Sequence, residues 1–232
     1  MTRKWVKNEL RKNPLEKAVL GAVDYYSTNK NTVFVGIVVC IILFLFAAFA
    51  LKNRIDENKK AAQLFAFAQS DYDRFNYSSA VKKLANIEKS FSTASIMPQV
   101  FYYIGLSYYK QGDADKAEEY FKKNIDRYKN NSIIDQVKLS LAFLYEDTQR
   151  YDEAIGYFQK IDDGHFLKPE ALTGIARINE INQNIDEAID IYTKLQSHYV
   201  NSYWAQFAEK RLNALGIRPK QIEDDLNRLQ LD

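Results

Sequence analysis

The sequence predicts an all-α protein, with a single N-terminal transmembrane helix followed by an α-solenoid of about four helical hairpins and a capping helix. Three features predict this fold. Residues 33–51 form an apolar run without a charged side chain. The following residues repeat with a period of 34 to 37. After the last repeat, SYWAQFAEKRLNALG places apolar residues at helical spacing and ends at Gly216, which is typical of a helix that closes such an array.

The apolar run 33–51, VFVGIVVCIILFLFAAFAL, predicts a membrane-spanning helix. As a helix it would reach about 28 Å, close to the hydrocarbon thickness of a bilayer. Fourteen of its nineteen residues are Val, Ile, Leu or Phe, and their insertion is worth about −4 to −8 kcal/mol at most. The A-x-A-like pattern at 48–50 would also fit a cleaved signal peptide. However, the run is longer than the roughly 7 to 15 residues of a signal core, and a long head precedes it, so we expect an uncleaved span.

Positive charge gives two answers about the orientation of this span. The head, residues 1–32, carries seven Lys and Arg against three Asp and Glu, whereas the body after the span carries 25 against 27. Within about twenty residues of the span, the head side has only Lys17 and Lys30. The other side has four basic residues, which favours a cytosolic body: Lys52, Arg54, Lys59 and Lys60. A basic head without a preceding signal is hard to translocate, so we expect the head in the cytoplasm and the body across the membrane.

The pattern divides the chain into segments: a basic head 1–32, the span 33–51, a connector 52–60, the array 61–216 and a tail 217–232. The connector lacks Gly and Pro, so the span helix is expected to continue into the array. In the head, apolar residues recur at helical spacing after Pro14, which predicts an amphipathic helix on the inner membrane surface. These residues are Leu15, Ala18, Val19, Ala22 and Tyr26. The alternative is a flexible basic tail. The tail is either one more weak helix or a frayed end.

The composition argues against several classes of function. The body has no stripe of Lys and Arg with interleaved aromatic residues, so we expect no nucleic-acid partner. The single cysteine, Cys40, lies within the span. The two histidines, His165 and His198, lie in different segments between repeats. We therefore expect no catalytic residues, no metal site and no cofactor.

The repeat is anchored by four alanines at spacings of 37, 37 and 34 residues: Ala80, Ala117, Ala154 and Ala188. Four residues after each comes a large apolar residue: Leu84, Phe121, Phe158 and Tyr192. Two residues before each comes a residue predicted to cap the second helix: Ser78, Asp115, Asp152 and Asp186. Small residues lie twelve before the anchors: Ala68, Gly105, Ala142 and Ala176. Bulky residues lie thirteen before: Phe67, Ile104, Leu141 and Ile175. Small residues let the two helices of a hairpin approach, and large residues fill the groove between successive hairpins.

This pattern resembles the tetratricopeptide repeat, which has a small residue in its first helix, an alanine and a large apolar residue in its second, and a short polar turn between them. The clearest stretches are GLSYYKQGDADKAEEYF and LAFLYEDTQRYDEAIGYF. The repeat-ending proline is absent, and two units are three residues longer than usual. Asp71 and Asn179 stand where Tyr108 and Tyr145 supply the usual first-helix tyrosine.

The whole arrangement of head, span and repeats resembles the YfgM-like family, membrane-anchored periplasmic proteins that accompany the Sec translocon. The 37-residue spacing and the HYVNSYWAQFAEKRL ending are also similar to envelope lipoproteins of outer-membrane assembly, which would lack this head and span. The resemblance implies a non-enzymatic scaffold or chaperone at the periplasmic face of a bacterial inner membrane, with protein partners or unfolded clients. A cytosolic body would instead resemble mitochondrial import receptors, and would imply a membrane-tethered targeting receptor.

The resemblance also predicts binding residues, because the concave face of a tetratricopeptide array is built largely from first-helix positions 2, 5, 9 and 12. In the first three units, seven residues at these positions are apolar or aromatic: Phe65, Tyr72, Tyr102, Leu106, Tyr109, Leu139 and Phe143. In the fourth unit they are polar: Glu170, Thr173, Arg177 and Glu180. Aromatic side chains give a large contact area with little loss of conformational entropy, and tyrosine adds a hydroxyl for backbone amides. We therefore expect this face to bind extended or partly unfolded apolar segments.

Overall fold

A computed structural model describes residues 14–217, apart from the side chains of residues 14–16, 24 and 26. The predictions for residues 1–13 and for the tail from 218 onward lie outside the described residues. The described range contains ten helices and no strand. Their bounds are α1 Pro14–Thr28, α2 Lys30–Asp73, α3 Tyr77–Ser90, α4 Met97–Lys110, α5 Ala114–Arg127, α6 Ile134–Asp147, α7 Tyr151–Gln159, α8 Lys168–Ile181, α9 Ile185–His198 and α10 Tyr203–Ala214.

The chain forms two compact units, one up to Glu57 and one from Asn58 onward. From here on, the word body means this second unit and no longer includes residues 52–57. In the described part of the first unit, α2 is long and apolar enough to cross a membrane. Its most apolar window has a mean hydropathy of 3.1, and none of that window is buried. The absence of burial distinguishes this segment from the core helix of a soluble protein. The helix is unbroken through the predicted connector 52–60 and ends at Asp73.

In the body, helices pair in chain order into four hairpins: α2 from Asn58 with α3, α4 with α5, α6 with α7, and α8 with α9. The repeat pattern is confirmed, because all eight residues at the alanine and large apolar positions have 0% of their surface exposed. They are Ala80, Leu84, Ala117, Phe121, Ala154, Phe158, Ala188 and Tyr192. Each hairpin hides its apolar face against its neighbours, so the array is all-helical and stacked.

The bulky position thirteen residues before the anchors is buried in three hairpins but not in the first. Ile104 and Leu141 are fully buried and Ile175 is 8% exposed, whereas Phe67 is 64% exposed. The expectation that Phe67 fills a groove between hairpins is therefore wrong. The physical reason is that no hairpin precedes α2 among the described residues, so nothing there covers this side of the helix.

Each first helix ends in the same turn, which has one residue in the left-handed conformation. The four residues have φ of 61 to 79°: Phe75, Gly112, Gln149 and Gln183. After α4, the N–H of Asp113 donates to the carbonyl of Tyr108 at 3.0 Å, and the N–H of Gly112 donates to that of Tyr109 at 3.0 Å. This pair of bonds is the Schellman motif, which satisfies carbonyl groups at a helix end. Equivalent pairs close α2, α6, α8 and α10.

The second helices begin earlier than the predicted caps imply. Their N-cap residues are Asn76, Asp113, Arg150 and Asn184, each two positions before the residue expected to cap. The assignment of caps to Ser78, Asp115, Asp152 and Asp186 is therefore wrong. The three aspartates lie in the first turn instead, where a negative charge interacts favourably with the helix dipole. Of the observed caps, the Asp113 carboxylate accepts a bond from the Lys116 N–H at 3.2 Å.

The capping helix α10 covers the last hairpin, as its apolar spacing predicts. Its start is capped by the Ser202 hydroxyl, which accepts from the N–H of Ala205 at 3.1 Å. Its buried side chains join those of α9 in one apolar cluster: Ala188, Tyr192, Leu195, Ala208 and Leu212. Gly216, with φ of 85°, ends the helix.

Candidate protein-binding face

The first helices of successive hairpins contact each other directly, since α4 contacts α6, α6 contacts α8 and α8 contacts α10. The side of the body lined by α2 from Asn58, α4, α6, α8 and α10 is called here the first-helix face. It holds the residues that the sequence predicts for partner binding.

An aromatic cluster between α2 and α4 is centred on Tyr103. The ring centroid of Tyr103 lies 5.3 Å from that of Phe65, 5.2 Å from Tyr72 and 5.9 Å from Tyr102, in edge-on arrangements. Such pairs are worth about 0.5–1.5 kcal/mol beyond their area. The Tyr103 hydroxyl accepts from the Gln69 amide at 2.8 Å. The cluster therefore holds Tyr72 and Tyr102 in defined positions, although Tyr103 itself was not among the predicted residues.

Hydroxyl contacts link α4 to α6 along the same face. The hydroxyl oxygens of Tyr102 and Ser140 are 3.1 Å apart, and the Tyr109 hydroxyl donates to the Asp147 carboxylate. Burial raises the pKa of Tyr102 and of Tyr109, and the bond to Asp147 raises the pKa of Tyr109 further. Burial likewise raises the pKa of Tyr72 to about 12. All three tyrosines are therefore neutral at physiological pH and act as apolar surfaces with a hydrogen-bonding tip.

Five of the seven predicted residues are partly exposed and two are buried. Phe65 is 8% exposed and Leu139 is 6% exposed, so both serve chiefly as packing residues. The partly exposed residues are Tyr72, Tyr102, Leu106, Tyr109 and Phe143. The accessible aromatic area of the first-helix face therefore lies on α2, α4 and α6.

Ion pairs join the first helices at the other end of the face. The Arg177 guanidinium binds Glu146 in a bidentate geometry, at 2.6 and 2.7 Å. Arg211 of α10 binds Glu180 of α8 in the same way, and the Tyr192 hydroxyl donates to Glu180 at 2.6 Å. Partner pairs of this kind are 31 residues apart rather than one full repeat, so the repeat period alone did not reveal them.

Glu170 differs from these residues because its carboxylate has no hydrogen bond or ion pair within residues 14–217. It lies in the first turn of α8 and is partly buried. Burial raises its pKa, and the charge of Arg177 lowers it by a smaller amount. Glu170 is close enough to Tyr102 for its charge to raise the pKa of that hydroxyl. The Arg177 guanidinium forms its ion pair with Glu146. The carboxylates of Glu170 and Asp147 therefore make the edge of the aromatic area negatively charged.

Within the described range, no cluster of three or more His, Cys, Asp or Glu could hold a metal ion. His165 is 3.7 Å from the carboxylate of Asp135, and His198 is 3.0 Å from the hydroxyl of Ser197.

Stacked hairpins with such a face define a class of helical repeat proteins that present an interaction surface to other proteins. The chain belongs to the tetratricopeptide repeat-like domain family, whose profile matches residues 24–171. The match begins before the apolar run 33–51 and ends within α8, so it includes both the long apolar helix and the first three hairpins.

Solved structures share this fold at low sequence identity. PilF from Pseudomonas aeruginosa is 21% identical with a TM-score of 0.52, and the match covers 65% of this chain and 66% of that one. A tetratricopeptide repeat protein from Parabacteroides merdae is 15% identical with a TM-score of 0.57, covering 65% and 57%. MamA is 16% identical with a TM-score of 0.52, covering 66% and 81%. The likeness spans only part of each protein and concerns the fold alone. A comparison with curated protein sequences gives no match.

Proposed function

We propose that this protein is a membrane-anchored, non-enzymatic scaffold or chaperone that binds polypeptides on its first-helix face. In this proposal α2 crosses a bacterial inner membrane, the head is cytoplasmic and the body is periplasmic. The partners are unfolded clients or proteins of a translocation or envelope-assembly machine, with the Sec translocon as the first candidate. Support comes from an apolar helix window that is 0% buried and from a family match that includes this helix.

The observation that carries the binding proposal is the row of accessible tyrosines on α2 and α4. Tyr72, Tyr102 and Tyr109 are neutral and partly exposed, and neighbouring groups hold their rings in place. Pre-ordered aromatic side chains lose little conformational freedom on binding. Anchoring at a membrane raises the local concentration of the face, so contacts of about micromolar strength suffice.

The charges beside the tyrosines define the chemistry of the segment that would bind. The Glu170 carboxylate has no hydrogen-bonded cation and interacts with the charge of Arg177 only at a distance, and Asp147 accepts a hydrogen bond from a neutral hydroxyl. A segment with apolar residues next to a Lys or Arg would place its cation near these carboxylates. Electrostatic complementarity of this kind increases the association rate and the specificity more than the affinity.

Photocrosslinking tests the binding proposal. A photoreactive phenylalanine analogue at Tyr102 or Tyr109 in the full chain should capture polypeptides during export. Tyr157, a partly buried aromatic residue on the second helix α7, is the matched control and should capture little. Equal capture at the three positions, or none at Tyr102 and Tyr109, would contradict the binding proposal.

A second candidate function is a membrane-tethered receptor for protein targeting, with its body in the cytosol. The four basic residues just after the apolar run favour this orientation: Lys52, Arg54, Lys59 and Lys60. A reporter fused after Asp232 separates the two candidates. Alkaline phosphatase activity is expected for a periplasmic body, and fluorescence of a cytosol-dependent reporter would support the receptor.

A further inference from the structure

Three polar residues occupy the same repeat position on successive first helices. Gln99 of α4, Gln136 of α6 and Glu170 of α8 are each the third residue of their helix. They are 37 and 34 residues apart, which are the spacings of the repeat itself. Because α4 contacts α6 and α6 contacts α8, equivalent positions on these helices are neighbours. We call these three residues the polar row.

The polar row lies on the first-helix face. Gln99 comes one helical turn before Tyr102, and residues three apart share one side of a helix. At the other end of the row, the charge of Glu170 reaches the Tyr102 hydroxyl and raises its pKa. The polar row therefore borders the aromatic area that is proposed to bind polypeptides.

The side chains of the polar row have no hydrogen-bond partners within residues 14–217. The Oε1 atoms of Gln99 and Gln136 are buried and accept no hydrogen bond. Their amide nitrogens donate none in this range, and the Glu170 carboxylate accepts none. By contrast, the Gln69 amide on α2 donates to the Tyr103 hydroxyl at 2.8 Å. The row therefore consists of three acceptors whose bonding capacity the fold leaves unused.

This lack of partners recurs, and the recurrence points to a ligand. A buried acceptor without a hydrogen bond destabilises a fold, and such groups are rare in native proteins. Here two equivalent residues of neighbouring repeats, Gln99 and Gln136, share it. Both side chains are partly exposed as a whole. The last torsion of a glutamine has two broad minima half a turn apart, so the oxygen can turn toward a ligand without movement of the helix.

The spacing of the polar row fits the backbone of an extended polypeptide. Helices that pack side by side are about 8–10 Å apart. A polyproline-II segment rises about 3.1 Å per residue with three residues per turn, so backbone groups three residues apart face the same side at a distance of about 9 Å. Such a segment has no internal hydrogen bonds, and its N–H groups are free to donate. One N–H in every three can therefore meet one acceptor of the row.

We propose that the polar row binds the backbone of the captured polypeptide in an extended, polyproline-II-like conformation, with successive N–H groups on one side donating to Gln99, Gln136 and Glu170. This inference rests on the polypeptide-binding function proposed above and adds how the bound segment is held. Backbone groups are common to all sequences, so the row accepts clients that differ in sequence. The neighbouring tyrosines contact the side chains of the same segment.

A double variant tests the role of the two glutamines. Binding of a fluorescein-labelled peptide of Phe, Ala and Lys is measured by anisotropy with the full chain in lipid nanodiscs. Gln99→Met combined with Gln136→Met should weaken binding by about tenfold, because two hydrogen bonds are lost. The melting temperature should stay the same or rise, since two buried unpartnered oxygens are removed, whereas a structural role would lower it. Gln159→Met is the matched control, because Gln159 is exposed on the second helix α7, and it should change neither value.

Backbone methylation of the peptide tests what the glutamines bind. An analogue with the same side chains, N-methylated at every third residue, lacks the proposed donors. It should bind the wild type about tenfold more weakly than the parent peptide, and it should bind the double variant about as well as the parent does. An equal loss in both proteins, or full binding by the double variant, would overturn the polar row as a backbone site while polypeptide binding stands. No binding of the parent peptide to the wild type would also overturn it, and capture at Tyr102 and Tyr109 then decides separately whether the proposed function fails as well.

Discussion

At the residue scale, the close approach of neighbouring helices, within a hairpin and between hairpins, depends on a few positions that have no room for a side chain. A Cβ added at Gly105 would lie 2.6 Å from the ring of Phe121, and one added at Gly174 would lie 2.5 Å from the ring of Phe158. Both rings are fully buried, so neither has space to move away. The repeat register predicted the small residue at 105. It gave no signal for Gly174, which lies two positions before the expected small residue.

We predict that Gly105→Ala destabilises the fold by about 1–3 kcal/mol, because overpacking forces the Phe121 ring or the helix backbone to shift. Gly156 on α7 is the matched control, since nothing lies within 4 Å of a Cβ added there. Gly156→Ala should stabilise by about 0.5–1 kcal/mol through helix propensity. Urea unfolding of the full chain in detergent measures both. A Gly105→Ala variant as stable as wild type would contradict the tight packing.

A second residue-scale prediction concerns Glu118, whose carboxylate joins three helices. It accepts bonds from Lys122 at 2.6 Å, Arg150 at 2.5 Å and Tyr145 at 3.0 Å. Burial raises the pKa of Glu118, but these three bonds outweigh burial and the net pKa is lowered from 4.5. A lowered folded-state pKa means that the ionised group stabilises the fold above about pH 4.5. This stabilisation is lost as the pH falls through the folded-state pKa.

Glu118→Gln should therefore lower the free energy of unfolding by about 1–3 kcal/mol at pH 7, and the difference from wild type should shrink below pH 4.5. Glu153→Gln is the control. Glu153 also pairs with Arg150, but its side chain is 47% exposed, so its effect should stay below about 1 kcal/mol. Chemical unfolding at pH 7 and at pH 4 gives both values. A constant difference across this range would argue against an ionic role for Glu118.

At the element scale, the sequence predicted the hairpins well and their boundaries less well. The alanine and large apolar positions were correct, because burial of an apolar stripe leaves a periodic signal in the sequence. The helix caps were misplaced by two residues, because the turn before each second helix uses a left-handed residue. Of these four residues, only Gly112 is of a type that predicts the left-handed conformation from the sequence. Phe75, Gln149 and Gln183 adopt the same conformation without being glycine, so the pattern gave no warning.

This turn leads to a prediction of opposite effects at equivalent positions. A left-handed residue with a Cβ is disfavoured by about 1–2 kcal/mol, and glycine loses about 0.5–1 kcal/mol more chain entropy on folding than alanine. Gln149→Gly should therefore stabilise the fold by up to about 1 kcal/mol, since the Gln149 side chain is exposed and makes no core contact. Gly112→Ala should destabilise by a similar amount. Thermal unfolding compares the two variants, and a change of the same sign in both would refute this account.

At the scale of the whole molecule, the sequence predicted where the candidate face lies but not all of its chemistry. Tyr102 and Tyr109 could be placed from the repeat register alone. Tyr103 and the bidentate pair between Arg177 and Glu146 could not, because they depend on the rotation and offset between neighbouring first helices. The exposure of Phe67 depends on a different fact: the first repeat lacks a neighbour that every later repeat has. Terminal repeats depart from the consensus environment, and a pattern averaged over repeats does not show this difference.

The burial pattern also predicts that the body folds without the apolar run. The earliest residue in any of its three apolar clusters is Ala61, and the compact unit begins at Asn58. Removing residues 1–57 takes away no side chain of these clusters. We therefore expect a chain of residues 58–232 to be soluble, helical and as thermally stable as the full chain within a few degrees, by circular dichroism.

The full chain should behave differently in cells, because its apolar helix has no protein cover. It should stay with membranes after alkaline carbonate washing, whereas the 58–232 chain should be released with soluble proteins. Phe67→Asp in the full chain serves as the control, since it adds a charge to the body and leaves the apolar run intact, and it should remain membrane-bound. Release of the full chain by carbonate would refute the anchor. Aggregation of the shorter chain, or a large loss of its thermal stability, would show that the first unit contributes to the core of the body.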